Sequence, residues 1–364
     1  CHEATIRESG GYIGNFFTTV ESEGRIREIK HGATVIAVGA EEYKPSEYLY
    51  GENDRVFTHM ELGGRIAEKD EKVVNAQTVV MIQCVGCRNE DRNYCSRVCC
   101  SHAVKNALTL KRINPDMQIY ILFRDMRTYG FKEDYYRQAS ESGVYFIRYE
   151  PEEKPVVEPV TEGGKQMLRV TVPDPVLGHG LELDADVVSL AAAVIPSASA
   201  EEVARMFKVG FNEDAFFKEA HVKLRPVEFA ADGVFLCGTA HYPKHITETI
   251  SQAYGAAGRV LTLLSNDTVT VSGAVCEVTE QKCMGCGACV EACTYQAIEL
   301  VKTKQGKKAR VNPVLCKGDG LCNAKCPTGA IFLKHFTDDA LRGQIDAAAP
   351  QEVLQKIDAM TEEV

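Results

Sequence analysis

Five cysteines crowd into residues 84–100 of this 364-residue chain, in the runs Gln83-Cys-Val-Gly-Cys-Arg88 and Tyr94-Cys-Ser-Arg-Val-Cys-Cys100. Around them the pattern predicts a buried strand over 77–83, a helix over 101–113 and a second strand over 118–123 that ends at Arg124-Asp125. That is the β-loop-α-β opening of a dinucleotide-binding domain. The loop of such a unit should be glycine-rich and present amides to a pyrophosphate. Here thiols stand in that place, which points to a metal cluster and to electron transfer. Asp125 reads either as a remnant of the ribose-binding acid or as an ordinary strand-end aspartate.

The remaining cysteines support metal over disulfides. Of fifteen, five lie at 84–100 and seven at 283–326; Cys1, Cys237 and Cys276 fall outside both groups. Clustered spacing of this kind, with no export signal at Cys1-His-Glu-Ala-Thr-Ile-Arg7, favours metal thiolates in a reducing, oxygen-poor cytoplasm. The chain also lacks an initiator methionine, and so reads as a fragment or as having lost its beginning. A formal charge of −10 argues against non-specific nucleic-acid binding. No apolar run is long enough to predict a membrane span, and the length predicts two or three domains.

The second group is an internal repeat with an offset of 33 residues: Cys283-Met-Gly-Cys286-Gly-Ala-Cys289-Val-Glu-Ala-Cys293 aligns with Cys316-Lys-Gly-Asp319-Gly-Leu-Cys322-Asn-Ala-Lys-Cys326. This is the C-x2-C-x2-C-x3-C pattern of bacterial two-cluster ferredoxins, in which the fourth cysteine of each motif ligates the other cluster. Cluster one then takes Cys283, Cys286, Cys289 and Cys326. Cluster two takes Cys316, Cys322 and Cys293, and its open corner falls at Asp319. A carboxylate completes a [4Fe-4S] cluster there, or the site settles as [3Fe-4S]. A zinc ribbon is the competing reading, but this paired spacing is rarely zinc. Residues 336–364 read as one or two amphipathic helices, serving for packing, as a lid or in docking.

Two further segments are similar to flavoprotein disulfide reductases. Gly32-Ala-Thr-Val-Ile-Ala-Val-Gly39 is an apolar run ending in Ala-x-Gly, although any buried parallel strand reads this way. Asp232-Gly-Val-Phe-Leu-Cys-Gly238-Thr239 precedes a small-residue helix over 249–264, an arrangement whose helix amino terminus suits a flavin phosphate. A tightly packed structural helix is the plainer alternative. The candidate cofactor contacts are Gly39, Gly238, Thr239, Ile246, Gln252 and Ala253.

Taken together, Cys84-x-Gly-x-Arg88, Tyr94-Cys-Ser-Arg-Val-Cys-Cys100, the 238–258 segment and the terminal repeat resemble the A-type subunit of heterodisulfide reductase, an iron–sulfur flavoprotein family of methanogens, sulfate reducers and other anaerobes. The resemblance covers nearly the whole chain. It implies an α/β fold with partial thioredoxin-reductase-like FAD/nucleotide-binding domains and a carboxy-terminal bacterial-type two-cluster ferredoxin domain. It also implies cluster ligands Cys84, Cys95, Cys99 and Cys100. Cys87 stands where the family has serine, which makes it the expected spare thiol, with a swap for Cys84 open. No G-x-G-x-x-G run occurs, so the family's amino-terminal part and the usual site for half of the FAD are missing.

The resemblance further implies FAD, three clusters, and flavin-based bifurcation among ferredoxin and a disulfide-type acceptor. The implied partners are B- and C-type subunits, a hydrogenase or formate dehydrogenase input, and ferredoxin. Lys105, Lys244 and His245 are candidate cations for stabilising a reduced flavin. The expected divisions are 1–75 and 151–268 for the FAD-domain portions, 76–150 for the cysteine-bearing unit, 269–335 for the ferredoxin domain and 336–364 for the tail. Two alternatives stand beside this reading: a flavin-free iron–sulfur wire, and, last, a Cys99-Cys100 disulfide oxidoreductase, in which vicinal cysteines would be strained.

Overall fold

A computed structural model describes residues 2–174, 178–270, 273–349 and 355–356. At its centre lies a five-stranded parallel sheet in the order Val56–Thr58, Val187–Ala192, Thr78–Val85, Gln118–Phe123, Val144–Arg148. Successive residues of the middle strand serve opposite faces. Val79 and Met81 join Leu62, Val104, Ala107 and Ala139 of the covering helices His59–Glu68, Cys99–Ile113 and Glu133–Glu141. Val80 and Ile82 join Val157, Leu168 and Val170 of an antiparallel sheet, Val156–Glu162, Lys165–Asp174 and His179–Ala185. A strand covered on both faces must be apolar throughout. Val79, Val80, Met81 and Ile82 are fully buried, each stabilising the fold by about 1.5–3 kcal/mol.

One strand and one helix depart from the sequence expectation. Residues 179–196 are divided among the strands His179–Ala185, Val187–Ala192 and Val194–Pro196. The first break falls at Asp186, whose carboxylate accepts the Gln77 and Thr78 amides at 2.8 and 3.1 Å. These bonds hold the chain as it crosses from the antiparallel sheet into the parallel one. A turn at Gly14 (φ +80°) separates Ala4–Tyr12 from Asn15–Ser22, and Arg25–His31 completes a three-stranded meander. The run over 32–39 yields only Thr34–Ile36, with Val35 44% exposed. The helix expected from residue 101 begins at Cys99.

Two short pairings gather remote segments near the cysteine loop. Thr34–Ile36 runs parallel to Val234–Leu236, and Ala40–Glu42 antiparallel to Val194–Pro196. The helix Ile246–Leu264 follows. The carboxy-terminal repeat pairs Cys276–Val278 with Ile331–Leu333 and Ile298–Thr303 with Gly306–Val311. Lys317 forms an ion pair with Asp232 and ties this unit to the body. In the tail, Asp338–Ala348 is helical; apart from 355–356, the rest of the expected tail helices lies outside the described residues. Among the described residues, no helix is long and apolar enough to cross a membrane.

Candidate functional site

The cysteine loop leaves the middle strand through a series of left-handed residues: Cys84 (φ +63°), Gly86 (+75°), Arg88 (+56°) and Arg97 (+62°). Only glycine fits at 86, where a Cβ would lie 2.3 Å from the Tyr43 ring. Cys84, Cys87, Cys99 and Cys100 form one interacting group. A hydrogen bond between the free thiols of Cys84 and Cys87 raises Cys84 well above its ordinary range and draws Cys87 down to about 6. Cys99 and Cys100 repeat the pattern, with Cys99 raised and Cys100 drawn down to about 7. Neighbouring cations favour thiolates here. Arg88 Nη1 lies 3.9 Å from Cys84 Sγ and is steadied by Asp125 at 2.6 Å, and Arg127 acts on Cys100. The Asp125 carboxylate therefore serves the cysteine loop.

The Cys95 Sγ accepts the Arg97 amide at 3.3 Å, and the residue lines an open cleft of about 660 Å³ with Arg97, Arg127, Tyr129 and Tyr242. Cys87 is buried among the thiols, so it lies within the group expected to exclude it.

Across that cleft stands the 238–253 segment. Gly238 (φ +75°) donates its amide to Gln252 Oε1 at 2.9 Å, and Gly39 (φ +77°) lies against Thr239. Lys244 Nζ donates to the carbonyls of Gly238 (2.6 Å) and Tyr242 (2.8 Å). Burial, with help from Arg97, pushes Lys244 down to about 8. The His245 ring stacks edge-on to Tyr129, and its buried Nε2 has no hydrogen-bond partner among the described residues. Ala253 packs toward Val227 and Cys237, whereas Ile246 is 70% exposed. Lys105 is not brought to this group: it is exposed on its helix and bonds to Asn106 at 3.0 Å.

Arg97 joins the two sides. It donates to Glu248 Oε1 at 2.5 Å, to Pro243 O at 3.2 Å and to the Tyr129 hydroxyl at 2.8 Å. Glu248 in turn accepts the His245 amide at the helix start, at 2.9 Å. Sequence reasoning gives Arg97 no role of its own, because its partner is 151 positions away.

In the carboxy-terminal unit the repeat is reproduced in hydrogen bonds to sulfur. Ala297 and Ala330 donate amides to Cys293 and Cys326 at 3.4 and 3.3 Å, and Ala309 and Cys276 donate to Cys283 and Cys316 at 3.4 Å each. Gly285 and Gly318 are equally matched: a Cβ would sit 2.2 Å from Lys307 O and from Ala274 O respectively. Cys283, Cys286, Cys289 and Cys326 line one cavity. Cys293, Cys316 and Cys322 belong to a core that also takes in Cys283, Cys289 and Cys326. Asp319 is exposed, its Oδ1 accepting the Leu321 amide at 3.2 Å. Among the described residues no three Cys, His, Asp or Glu side chains converge on a single ion. Spread thiols with amides aimed at sulfur suit a cluster instead.

The 4Fe-4S dicluster domain family matches residues 282–330. An iron-sulfur A-type subunit of the CoB--CoM heterodisulfide reductase of Methanopyrus kandleri is 39% identical over 304 residues, covering 79% of this chain and 45% of that protein. The A-type subunit of the H(2)/formate:CoB-CoM heterodisulfide,ferredoxin reductase of Methanococcus maripaludis is 37% identical over 336 residues, covering 87% and 50%. Among solved structures, T. acidophilum thioredoxin reductase is similar with a TM-score of 0.46 and 13% identity, covering 72% of this chain and 74% of that one. The chain spans about half the length of the curated relatives it matches. With its cysteine loop, its ferredoxin repeat and this identity along most of its length, the chain belongs to the family of heterodisulfide reductase A-type subunits.

Proposed function

We propose that this chain is the electron-transferring part of a heterodisulfide-reductase-like oxidoreductase complex, working with FAD and three iron–sulfur clusters. The observation that carries this reading is the side-by-side setting of the cysteine loop and the 238–253 segment, joined through Arg97. A bound flavin exchanges electrons in pairs and hands them singly to clusters, which is what bifurcation between ferredoxin and a disulfide-type acceptor requires.

The residues fit such a group. Lys244 is a half-buried cation bonded to two carbonyls, with a charge that burial disfavours. An anion brought within its reach would stabilise it. His245 offers a buried nitrogen without a partner among the described residues, and Gly39 and Gly238 keep side-chain bulk away from the strand ends. On the loop, Cys84, Cys95, Cys99 and Cys100 hold the cluster, and Cys87 is the competitor for the Cys84 corner. B- and C-type subunits, ferredoxin and a hydrogenase or formate dehydrogenase module are the partners of this reading, in line with the H(2)/formate and ferredoxin terms in the name of the Methanococcus maripaludis relative.

A flavin-free iron–sulfur wire is the second reading. A reductive titration of the anaerobically purified chain, followed in the visible, separates them. Flavin bands bleaching together with the cluster shoulder support the first, and a cluster shoulder alone supports the second.

A further inference from the structure

The second ferredoxin motif carries Asp319 where the first carries Cys286. A thiol absent from one corner invites a search for another nearby. Cys276 is 3% exposed, and its Sγ lies 3.4 Å from Cys322 Sγ. Its amide donates to Cys316 Sγ at 3.4 Å. It lies in the core shared by the cysteines of both motifs, and six positions before the matched segment, which begins at 282.

The repeat gives this placement its meaning. Ala309 lies 33 residues after Cys276, the same offset that relates Cys283 to Cys316. Ala309 lines the cavity of the first cysteine set and donates its amide to Cys283, as Cys276 does to Cys316. The two residues therefore hold equivalent places, each against one cluster site. A methyl group suffices at the site that has all four motif cysteines. A thiol appears only at the site that lacks one. Meanwhile the Asp319 carboxylate is engaged with the Leu321 amide at the start of the Leu321–Lys325 helix.

We propose that Cys276 supplies the fourth thiolate of the second ferredoxin cluster, alongside Cys293, Cys316 and Cys322, in place of Asp319. An iron–sulfur bond forms at the open iron as water leaves it, and the thiol releases its proton to solvent with no change in electron count. Thiolate is also the softer and better-matched ligand for iron–sulfur clusters.

The proposal rests on two clusters being bound in this domain, and the experiment reads that separately. Wild type, Cys276→Ala, Asp319→Asn and the double variant Cys276→Ala/Asp319→Cys are purified anaerobically as full chains. Each is assayed for iron and labile sulfide and for the low-temperature EPR signal of a three-iron cluster after mild oxidation. The expected results are no three-iron signal in wild type or Asp319→Asn, one iron fewer and a three-iron signal in Cys276→Ala, and return of the cubane in the double variant. The first cluster reports in every sample that the domain has folded. Should Cys276→Ala fail to fold, Asp319→Asn decides alone. A three-iron signal in wild type or Asp319→Asn, or a complete second cubane in Cys276→Ala, would overturn the assignment. A wild-type chain whose iron accounts for no second ferredoxin cluster would overturn the two-cluster reading along with it.

Discussion

Arg97 of the cysteine loop and Glu248 of the Ile246–Leu264 helix meet at 2.5 Å, across 151 residues of sequence. The pair is about one-third exposed on each side, so solvent screens it, and its net worth is about 1 kcal/mol. Arg97 also grips Pro243 O, so Arg97→Ala should cost more stability than Glu248→Gln. The double variant should cost less than their sum, because the two share one network. Denaturant titration of all three variants checks this, and strict additivity would count against a coupled pair.

Glycine is obligatory at two matched turns. A Cβ at Gly285 or Gly318 would lie 2.2 Å from a carbonyl oxygen, at φ +70° or +67°, a separation no rotamer change relieves. Gly285→Ala should therefore deplete the first ferredoxin cluster and Gly318→Ala the second. Iron analysis with EPR distinguishes the two losses, and full iron content in either variant would contradict the packing described.

The depressed proton affinity of Lys244 gives a pH signature. Its folded value of about 8 lies below the ordinary lysine value of 10.5. Between these the unfolded chain binds more protons, so stability should rise with pH through that window. Below about 8 both states are protonated and the burial penalty is fully present. Wild type should thus gain stability from pH 8 to 10 relative to Lys244→Met, measured by thermal denaturation under argon. Parallel pH profiles of the two proteins would show that Lys244 titrates normally.

Much of this architecture is legible from residue patterns, for identifiable reasons. The Thr78–Val85 strand and the Gln118–Phe123 strand announce themselves because both of their faces are covered. The ferredoxin unit is written in cysteine spacing, which the chemistry of a shared cluster dictates. What escapes is non-local. Val187–Ala192 inserts between Val56–Thr58 and Thr78–Val85, an order no local propensity encodes. The break at Asp186 depends on amides more than a hundred positions away. Cys276 belongs to no motif and gains significance only beside Ala309, its counterpart in the repeat. Lys105 lies close to Cys100 in sequence, but its helix turns it to solvent.

Central to all of this is the loop at 84–100 as a cluster site in a nucleotide's place. The direct measurement is iron and labile sulfide per chain, with EPR, for anaerobically purified wild type, Cys87→Ser and Cys100→Ser. Full content is predicted in wild type and Cys87→Ser, and the loss of one cluster in Cys100→Ser with both ferredoxin clusters retained. Unchanged iron in Cys100→Ser would contradict a cluster on this loop.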